Sequence, residues 1–330
     1  MNKTIYFASL PNGYFGSAAN SWVTLDVKKL AAPFILKAYD VRYISITDIP
    51  EINFMSTDIL IYTSSDNDEI RSYLKDILYF TNDQCQIIPS YEILLAHENK
   101  GFQEVVKSKL NIKDLAENYF FDLSEYKRSF PYVLKTVDGS GSSGVKLIKS
   151  DKDLNDAINN SSDISLKRKT KNIIRYYQLP QENYDIYNYY YKPFKRFVAQ
   201  EFVADLTCDY RILVVGDRFY AMRRDVNKGD FRASGSKNFN YHDVPLSALD
   251  YAKEVFDKLN NPYISMDIVV KDEKSYLIEY QGTNFGSSVL RKSDGYYMKN
   301  NNSWDFINEK SQHEKTLAYG LLDFVEKNYD

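Results

Sequence analysis

Two cysteines, Cys85 and Cys208, and three histidines, His97, His242 and His313, are all that the 330 residues contain of those residue types. The cysteines lie far apart and lack metal-ligand spacing, which excludes a disulfide framework and fits a reducing cytoplasm. Three scattered histidines leave little room for a His-based metal site or a Ser-His triad. Long apolar runs are missing too. None approaches the roughly 20 residues that span a membrane, and the first ten residues are too short an apolar run for a signal peptide. They read instead as a first buried strand. An excess of basic charge is also absent: the formal net charge is -3, which argues against a nucleic-acid binder that works through a basic surface. The one local basic cluster, Lys167 to Lys171, reads as a solvated loop. Finally, no Gly-rich dinucleotide fingerprint follows the first strand, because Pro11-Asn12-Gly13-Tyr14-Phe15-Gly16 lacks the G-x-G-x-x-G spacing.

What is present is an ordinary soluble composition, 44% hydrophobic and 26% charged, long enough for two or three packed units rather than one core. Strand and helix signals alternate over 1–90. Strands are expected at Ile5–Leu10, Val41–Ile46, Ile59–Tyr62 and Gln86–Ile88. Helices are expected at Thr24–Ala38, with Val27, Leu30, Ile35 and Leu36 inward, and at Glu69–Phe80. This predicts a small, open, mostly parallel sheet. Helices follow at Tyr91–His97 and Lys100–Leu110, then strands at Val133–Lys135 and Val145–Ile148 and a short helix at Asp151–Asn159. The Tyr-rich stretch 160–195 reads as an insertion. Beyond it come a strand at Arg196–Ala204, a hairpin of Tyr210–Val215 with Arg218–Arg224, and a helix at Pro245–Leu259. A second hairpin joins Ile264–Val270 to Tyr276–Gln281, and an amphipathic helix, Lys315–Lys327, closes the chain on Leu317, Leu321, Leu322 and Val325.

That second hairpin carries the chemistry. A three-residue turn, Asp272-Glu273-Lys274, would set Asp267 opposite Glu279, with Gln281 on the same face. Two like charges side by side on an apolar hairpin are costly unless a cation joins them. Hard oxygen ligands suit Mg²⁺; the plain alternative is a surface hairpin with scattered charge. Upstream, the loop Asp138–Gly144 has small residues whose backbone N–H groups could close over phosphates, although a simple Gly/Ser turn reads as well. Lys135, just before it in an apolar strand, needs an anion to be buried.

The run Gln200-Glu201-Phe202-Val203, Asp209-Tyr210-Arg211, Val214-Val215-Gly216-Asp217 and Gly229-Asp230-Phe231-Arg232-Ala233-Ser234, ending in Asp267 and Glu279-Tyr280-Gln281, resembles the core of ATP-grasp ligases. It is most similar to the branch with ribosomal-protein glutamyl ligase and glutathione synthetase, over roughly residues 90–290. The resemblance implies an α/β (α+β) ATP-grasp fold behind an N-terminal open-sheet domain. It divides the chain into 1–90, a central linker and lid region 91–204 with the insertion, and a C-terminal subdomain 205–330 with the metal site. It implies ATP as the nucleotide and Mg²⁺ or Mn²⁺ as the cation.

Residue by residue, Lys100 and Lys135 resemble the lysines on nucleotide phosphates, and Ser140, Gly141, Ser142, Ser143 and Gly144 the lid loop. Gln200, Glu201, Phe202 and Val203 resemble the hinge that holds adenine, and Asp209 the acid that reaches the ribose. Arg211, Arg224 and Arg232 resemble the arginines facing the transferred phosphoryl group and acyl substrate. Asp267, Glu279 and Gln281 resemble the metal ligands. Gln281 and Ser234 stand where the family has Asn. The implied activity is ATP-dependent ligation of a carboxylate to an amine through an acylphosphate, with small carboxylate and amine substrates, no nucleic acid, no membrane, a cytoplasmic location and a homodimer among the states the chain could adopt. The alternatives are a kinase acting on a hydroxyl and an inactive ATP-binding regulator. Asp267→Asn and Glu279→Gln are both expected to abolish turnover while leaving the fold intact.

Overall fold

The structure, a computed structural model, describes residues 3–16, 20, 22–112, 115, 117–124, 126–139, 144–161, 166–192, 194–227, 229, 231–232, 238–301 and 303–329. The chain forms two units, one of Met1–Leu115 and Val203–Asp330, the other of Ala116–Gly139 and Ser143–Phe202. The stretch expected as a central region, 91–204, is thus shared between them.

The first unit opens with four strands, β1 (Thr4–Ser9), β2 (Asp40–Ser45), β3 (Ile59–Tyr62) and β4 (Gln86–Ile88), in the order β2-β1-β3-β4. All three pairings are parallel, as the strand–helix alternation predicts. β1 is buried on both faces, Ile5 and Phe7 in one apolar cluster and Tyr6 and Ala8 in another, which is why it reads as an unbroken apolar run. Helices α1 (Val27–Leu36) and α2 (Asp68–Gln84) start where Asp26 and Asn67 accept bonds from the backbone N–H groups of the first turn. The expected inner face of α1 is corrected here. Leu30, Ala31 and Phe34 are buried, whereas Ile35 and Leu36 are exposed, because the helix begins at Val27 and its inward stripe runs 27, 30, 31, 34.

Helices α3 (Tyr91–Ala96) and α4 (Lys100–Lys109) are capped by Ser90 and Asn99. Between them His97 is 1% exposed, its Nδ1 3.1 Å from Ser64 Oγ and its Nε2 without a partner among the described residues. Burial, then the nearby Arg71 and Lys75 charges, lowers its pKa to about 3. An unfolded histidine titrates near 6.5, so below that pH the unfolded chain binds a proton that the folded chain refuses. Stability should therefore fall as the pH drops from about 6.5 towards 3. Between pH 7 and 4.5 this one group is expected to account for about 2–3 kcal/mol. Urea unfolding of the wild type and His97→Asn across that range checks it, the variant having the flatter profile.

The second unit is a four-stranded antiparallel sheet, order β5-β8-β6-β7, made of β5 (Glu117–Phe120), β6 (Tyr132–Thr136), β7 (Val145–Ile148) and β8 (Phe197–Glu201). Helix α5 (Asp151–Ser161) packs Leu154 and Ala157 onto one face, with Tyr132, Leu134, Phe197 and Ala199. β5 has no sequence counterpart among the expectations, since Glu-Asn-Tyr-Phe lacks β-branched residues and pairs only at the sheet's edge. The loop expected at Lys167 to Lys171 is corrected: it lies in helix α6 (Leu166–Gln178), which is followed by α7 (Gln181–Tyr190) within the Tyr-rich stretch 160–195. Tyr-rich sequence has weak helix propensity, and these helices hold together through ring contacts such as Tyr176 on Tyr184 and Tyr187 on Tyr191. No side chain of α7 is buried.

The first unit is completed by a seven-stranded sheet. Its members are β9 (Cys208–Val215), β10 (Arg218–Asp225), β11 (Phe239–Asn240), β12 (Tyr263–Lys271), β13 (Lys274–Gln281), β14 (Tyr296–Asn300) and β15 (Ser303–Ile307), with helices α8 (Leu246–Leu259), α9 (Ser288–Lys292) and α10 (His313–Tyr329). The order is β13-β12-β9-β10-β14-β15, with β11 on β10, and every pairing is antiparallel. One face packs on α8 through the apolar side chains of Tyr210, Ile212, Val214, Met266, Ile268 and Tyr280. On the other face, Leu213, Val215, Tyr220 and Met222 join Leu317, Leu321 and Val325 of α10 in the core. The same strands run on from that apolar half into Arg211, Asp209 and Arg224.

Candidate active site

Alternation along β9 explains how the charges collect. Tyr210, Ile212 and Val214 point to the α8 side, which leaves Asp209 and Arg211 on the opposite face in line with Leu213 and Val215. The cross-strand register sets Arg224 opposite Asp209, and Asp267 opposite both Arg211 and Glu279. Five charged side chains on four strands therefore share this face, Glu279, Asp267 and Arg211 in one row and Asp209 and Arg224 in the next.

The pairing of Asp267 with Glu279 agrees with expectation, but its cause differs. The turn has two residues, Asp272 and Glu273, both at positive φ, and it pairs Lys271 with Lys274. That register alone would put Asp267 opposite Ile278. An irregularity between Asp267 and Ile268 shifts the ladder by one residue, so that Glu279 takes the place. The same bulge brings Leu277 and Tyr280 both into the α8 core, and burying both stabilises the offset.

The charges are tightly joined. Arg211 donates from Nε to Asp267 Oδ1 at 2.8 Å and from Nη2 to Oδ2 at 2.9 Å. Arg224 donates to both oxygens of Asp209 at 2.6 Å, and its Nη2 also lies 2.9 Å from Asp267 Oδ2. Burial opposes ionisation of Asp267, but the Arg211 and Arg224 guanidiniums overcome it and hold its carboxyl well below the usual range. Burial pushes Asp209 the other way, up to about 6, against the pull of Arg224 and with the Asp267 charge adding to it. Arg224 and Asp209 are 4% and 6% exposed. Arg211 is more open, and a Cβ built on Gly286 would stand 4.0 Å from its Nη1, so the absent side chain leaves that edge clear.

At the hairpin's far strand, Glu279 Oε1 receives Gln281 Nε2 at 3.2 Å and lies 3.5 Å from Lys100 Nζ. Gln281 Oε1 is buried and has no partner among the described residues. Among those residues no three His, Cys, Asp or Glu side chains gather as a metal cage. Two carboxylates and an orphaned amide oxygen nevertheless match a hard cation that draws its other ligands from water and phosphate. Two residues that the sequence reading passed over support this corner. Gln103 of α4 donates to the backbone oxygen of Tyr280 at 2.9 Å and accepts from its N–H at 3.3 Å, so it fixes the strand beside Glu279. A buried glutamine three residues after Lys100, on the core face of a helix, was the available signal. Glu98 has φ 50; burial, then the Glu279 charge, raises its carboxyl above the ordinary value.

In the second unit Lys135 and Gln200 are buried on one face of the β6–β8 pair, with Val133 and Val198, and Glu201 is exposed. Gln200 Nε2 has no partner among the described residues. Val203 lies in the first unit, packed with Leu115 and Val269. Gly144 has φ +74, and a Cβ there would strike Thr136 Oγ1 at 2.2 Å, so only glycine closes this loop. Ser140, Gly141, Ser142, Ser143 and Ser234 lie outside the described residues. Arg232 sits half-buried, over the Phe231 ring at 5.7 Å.

A family model, the RimK-like ATP-grasp domain, matches residues 90–296. No curated protein sequence matches. Among solved structures, a RimK domain ATP-grasp protein from Sphaerobacter thermophilus is 10% identical, with 97% of this chain and 99% of that chain covered and a TM-score of 0.50. The D-cycloserine synthetase DcsG is 8% identical over 96% and 98%, with a TM-score of 0.55. The ATP-grasp ligase PsnB, complexed with minimal precursor, is 12% identical over 98% and 99%, with a TM-score of 0.51. At such identities the likeness is one of fold.

Proposed function

The chain belongs to the RimK-like ATP-grasp family, has the mixed α/β fold of its solved relatives, and from that premise we propose that it is an ATP- and Mg²⁺-dependent carboxylate–amine ligase. The observation that carries the reading is the corner where Glu279, the orphaned Gln281 Oε1 and Asp267 share one face beside the open edge of Arg211.

In this reading a substrate carboxylate attacks the γ-phosphorus of ATP, ADP leaves, and an amine then displaces phosphate from the acylphosphate to give an amide. Phosphoryl transfer asks the protein mainly for positioning and charge neutralisation. A cation held by Glu279, Gln281 and one oxygen of Asp267 would supply Lewis-acid neutralisation. Arg211, with Arg232, would hold the carboxylate and stabilise oxyanion charge. Lys100 and Lys135 would contact phosphates, with Ser140–Gly144 over them and Gln200–Val203 along the adenine. No nucleophilic side chain is needed. Among the described residues no helix is long and apolar enough to cross a membrane.

The test is an ADP-release screen with Mg-ATP against panels of carboxylates and amines, with products identified by mass. An amide with ADP and free phosphate supports the ligase. A stable phosphoester points to a kinase, and ATP binding without turnover to a regulator. Lys135→Ala is expected to weaken ATP binding by about ten- to a hundredfold, the loss of a charge-assisted hydrogen bond. Unchanged affinity by calorimetry would remove Lys135 from the nucleotide site.

A further inference from the structure

We infer that Asp209 is a positioning residue that acts on Asp267 through Arg224, and that it does not contact the nucleotide. The inference deepens the ligase reading and rests on it only for what Asp267 does.

Both oxygens of Asp209 are engaged at 2.6 Å by Nε and Nη2 of Arg224. The two residues are among the most enclosed of the charged side chains, and they face each other directly across β9 and β10. The guanidinium fork takes one acceptor direction on each Asp209 oxygen, and at 6% exposure little of the carboxylate is left open to a further donor. A ribose hydroxyl would have to displace part of a buried, bidentate ion pair, which is costly.

The charge count gives Asp209 its purpose. Without it, Arg211 and Arg224 would share the single charge of Asp267, an excess of one buried positive charge. With it, two arginines meet two aspartates. Asp209 takes the Nε–Nη2 edge of Arg224, and Arg224 meets Asp267 as an ion pair, Nη2 to Oδ2 at 2.9 Å. Asp267 thus stays bidentate on Arg211, and among the described residues its Oδ1 receives Arg211 Nε alone. That is the oxygen with acceptor capacity left for a cation. Arg224 is therefore a brace between the aspartates and is not available to a transferred phosphoryl group.

The experiment compares the wild type, Asp209→Asn and the double variant Asp209→Asn/Arg224→Met in the full-length protein. Three quantities are read: melting temperature, ATP affinity by calorimetry, and Mn²⁺ affinity by electron paramagnetic resonance in the presence of ADP. Asp209→Asn is expected to lower the melting temperature, to leave ATP affinity within about threefold, and to weaken Mn²⁺ by about tenfold or more, as loss of an outer support of a metal ligand does. The double variant restores neutrality around Asp267 and Arg211 and should recover both the melting temperature and the Mn²⁺ affinity. An Asp209→Asn protein with unchanged melting temperature and tenfold weaker ATP binding would overturn the inference, as would a double variant that rescues neither quantity. Should Asp209→Asn fail to fold, the double variant decides alone: folded and Mn²⁺-binding supports the brace, unfolded overturns it. If the wild type binds no ATP, the ligase reading fails, while rescue of the melting temperature still decides the role of Asp209.

Discussion

Replacing Glu279 by glutamine is expected to lower turnover by about a hundred- to a thousandfold, the scale set by removing one group that stabilises charge in a transition state, while the melting temperature stays near that of the wild type. Glu279 stands at the edge of the charged row, half-buried, and is held by contacts that glutamine can partly keep. Lys100 lies 3.5 Å from one oxygen, and the Gln281 amide donates to the same atom at 3.2 Å. The amide oxygen of a glutamine still accepts both. What it lacks is the negative charge that would hold a divalent cation. The check pairs steady-state ADP release with thermal unfolding of the same sample. Normal turnover in this variant would remove Glu279 from the chemistry.

Asp267→Asn is expected to behave differently, losing turnover and also about 3–5 kcal/mol of stability, the usual cost of removing one partner from a buried ion pair. The two substitutions were expected to be alike, both sparing the fold. The network separates them. Asp267 accepts two hydrogen bonds from Arg211 and pairs with Arg224 at 2.9 Å, whereas among the described residues Glu279 meets one lysine, at 3.5 Å. An asparagine at 267 leaves Arg211 and Arg224 with only Asp209 for charge and turns an NH₂ group towards one guanidinium. Urea unfolding measures the loss, and a midpoint equal to that of the wild type would show that the arginines are neutralised by other means.

Much of the architecture can be read from pattern alone, and particular elements show why. β3, β4 and β7 fall where the apolar runs put them, because a buried strand bounded by turn residues has a local signature. α10 shows its buried side through Leu317, Leu321 and Val325. Among the elements that were missed, β5 and the β14–β15 hairpin are short, half-exposed strands that join their sheets through neighbours distant in sequence, β8 and β10. Helix α7 was hidden because its tyrosine-rich sequence has neither strong propensity nor an apolar stripe, whereas α6 does carry a stripe at Leu166, Ile173, Ile174 and Tyr177 that the basic run Lys167–Lys171 masked.

The hairpin of β12 and β13 divides the two kinds of information most clearly. Residue type by itself fixed that Glu279 and Gln281 would share a strand face, that a buried Lys135 would need an anion, and which family the motifs resemble. Those follow from strand alternation and from the cost of burying charge, both local properties. Tertiary structure alone decided that a bulge, not a longer turn, brings Glu279 opposite Asp267, because the offset is stabilised by burying Leu277 and Tyr280 against α8. It also decided that Arg211 keeps an open edge while Arg224 is enclosed by Asp209 and Asp267. Three arginines look equivalent in a sequence, yet Arg211 finds its partner Asp267 56 residues away and Arg224 bonds Asp209 across the β9–β10 hairpin, 15 residues away. Only the folded sheet distributes the charges among them.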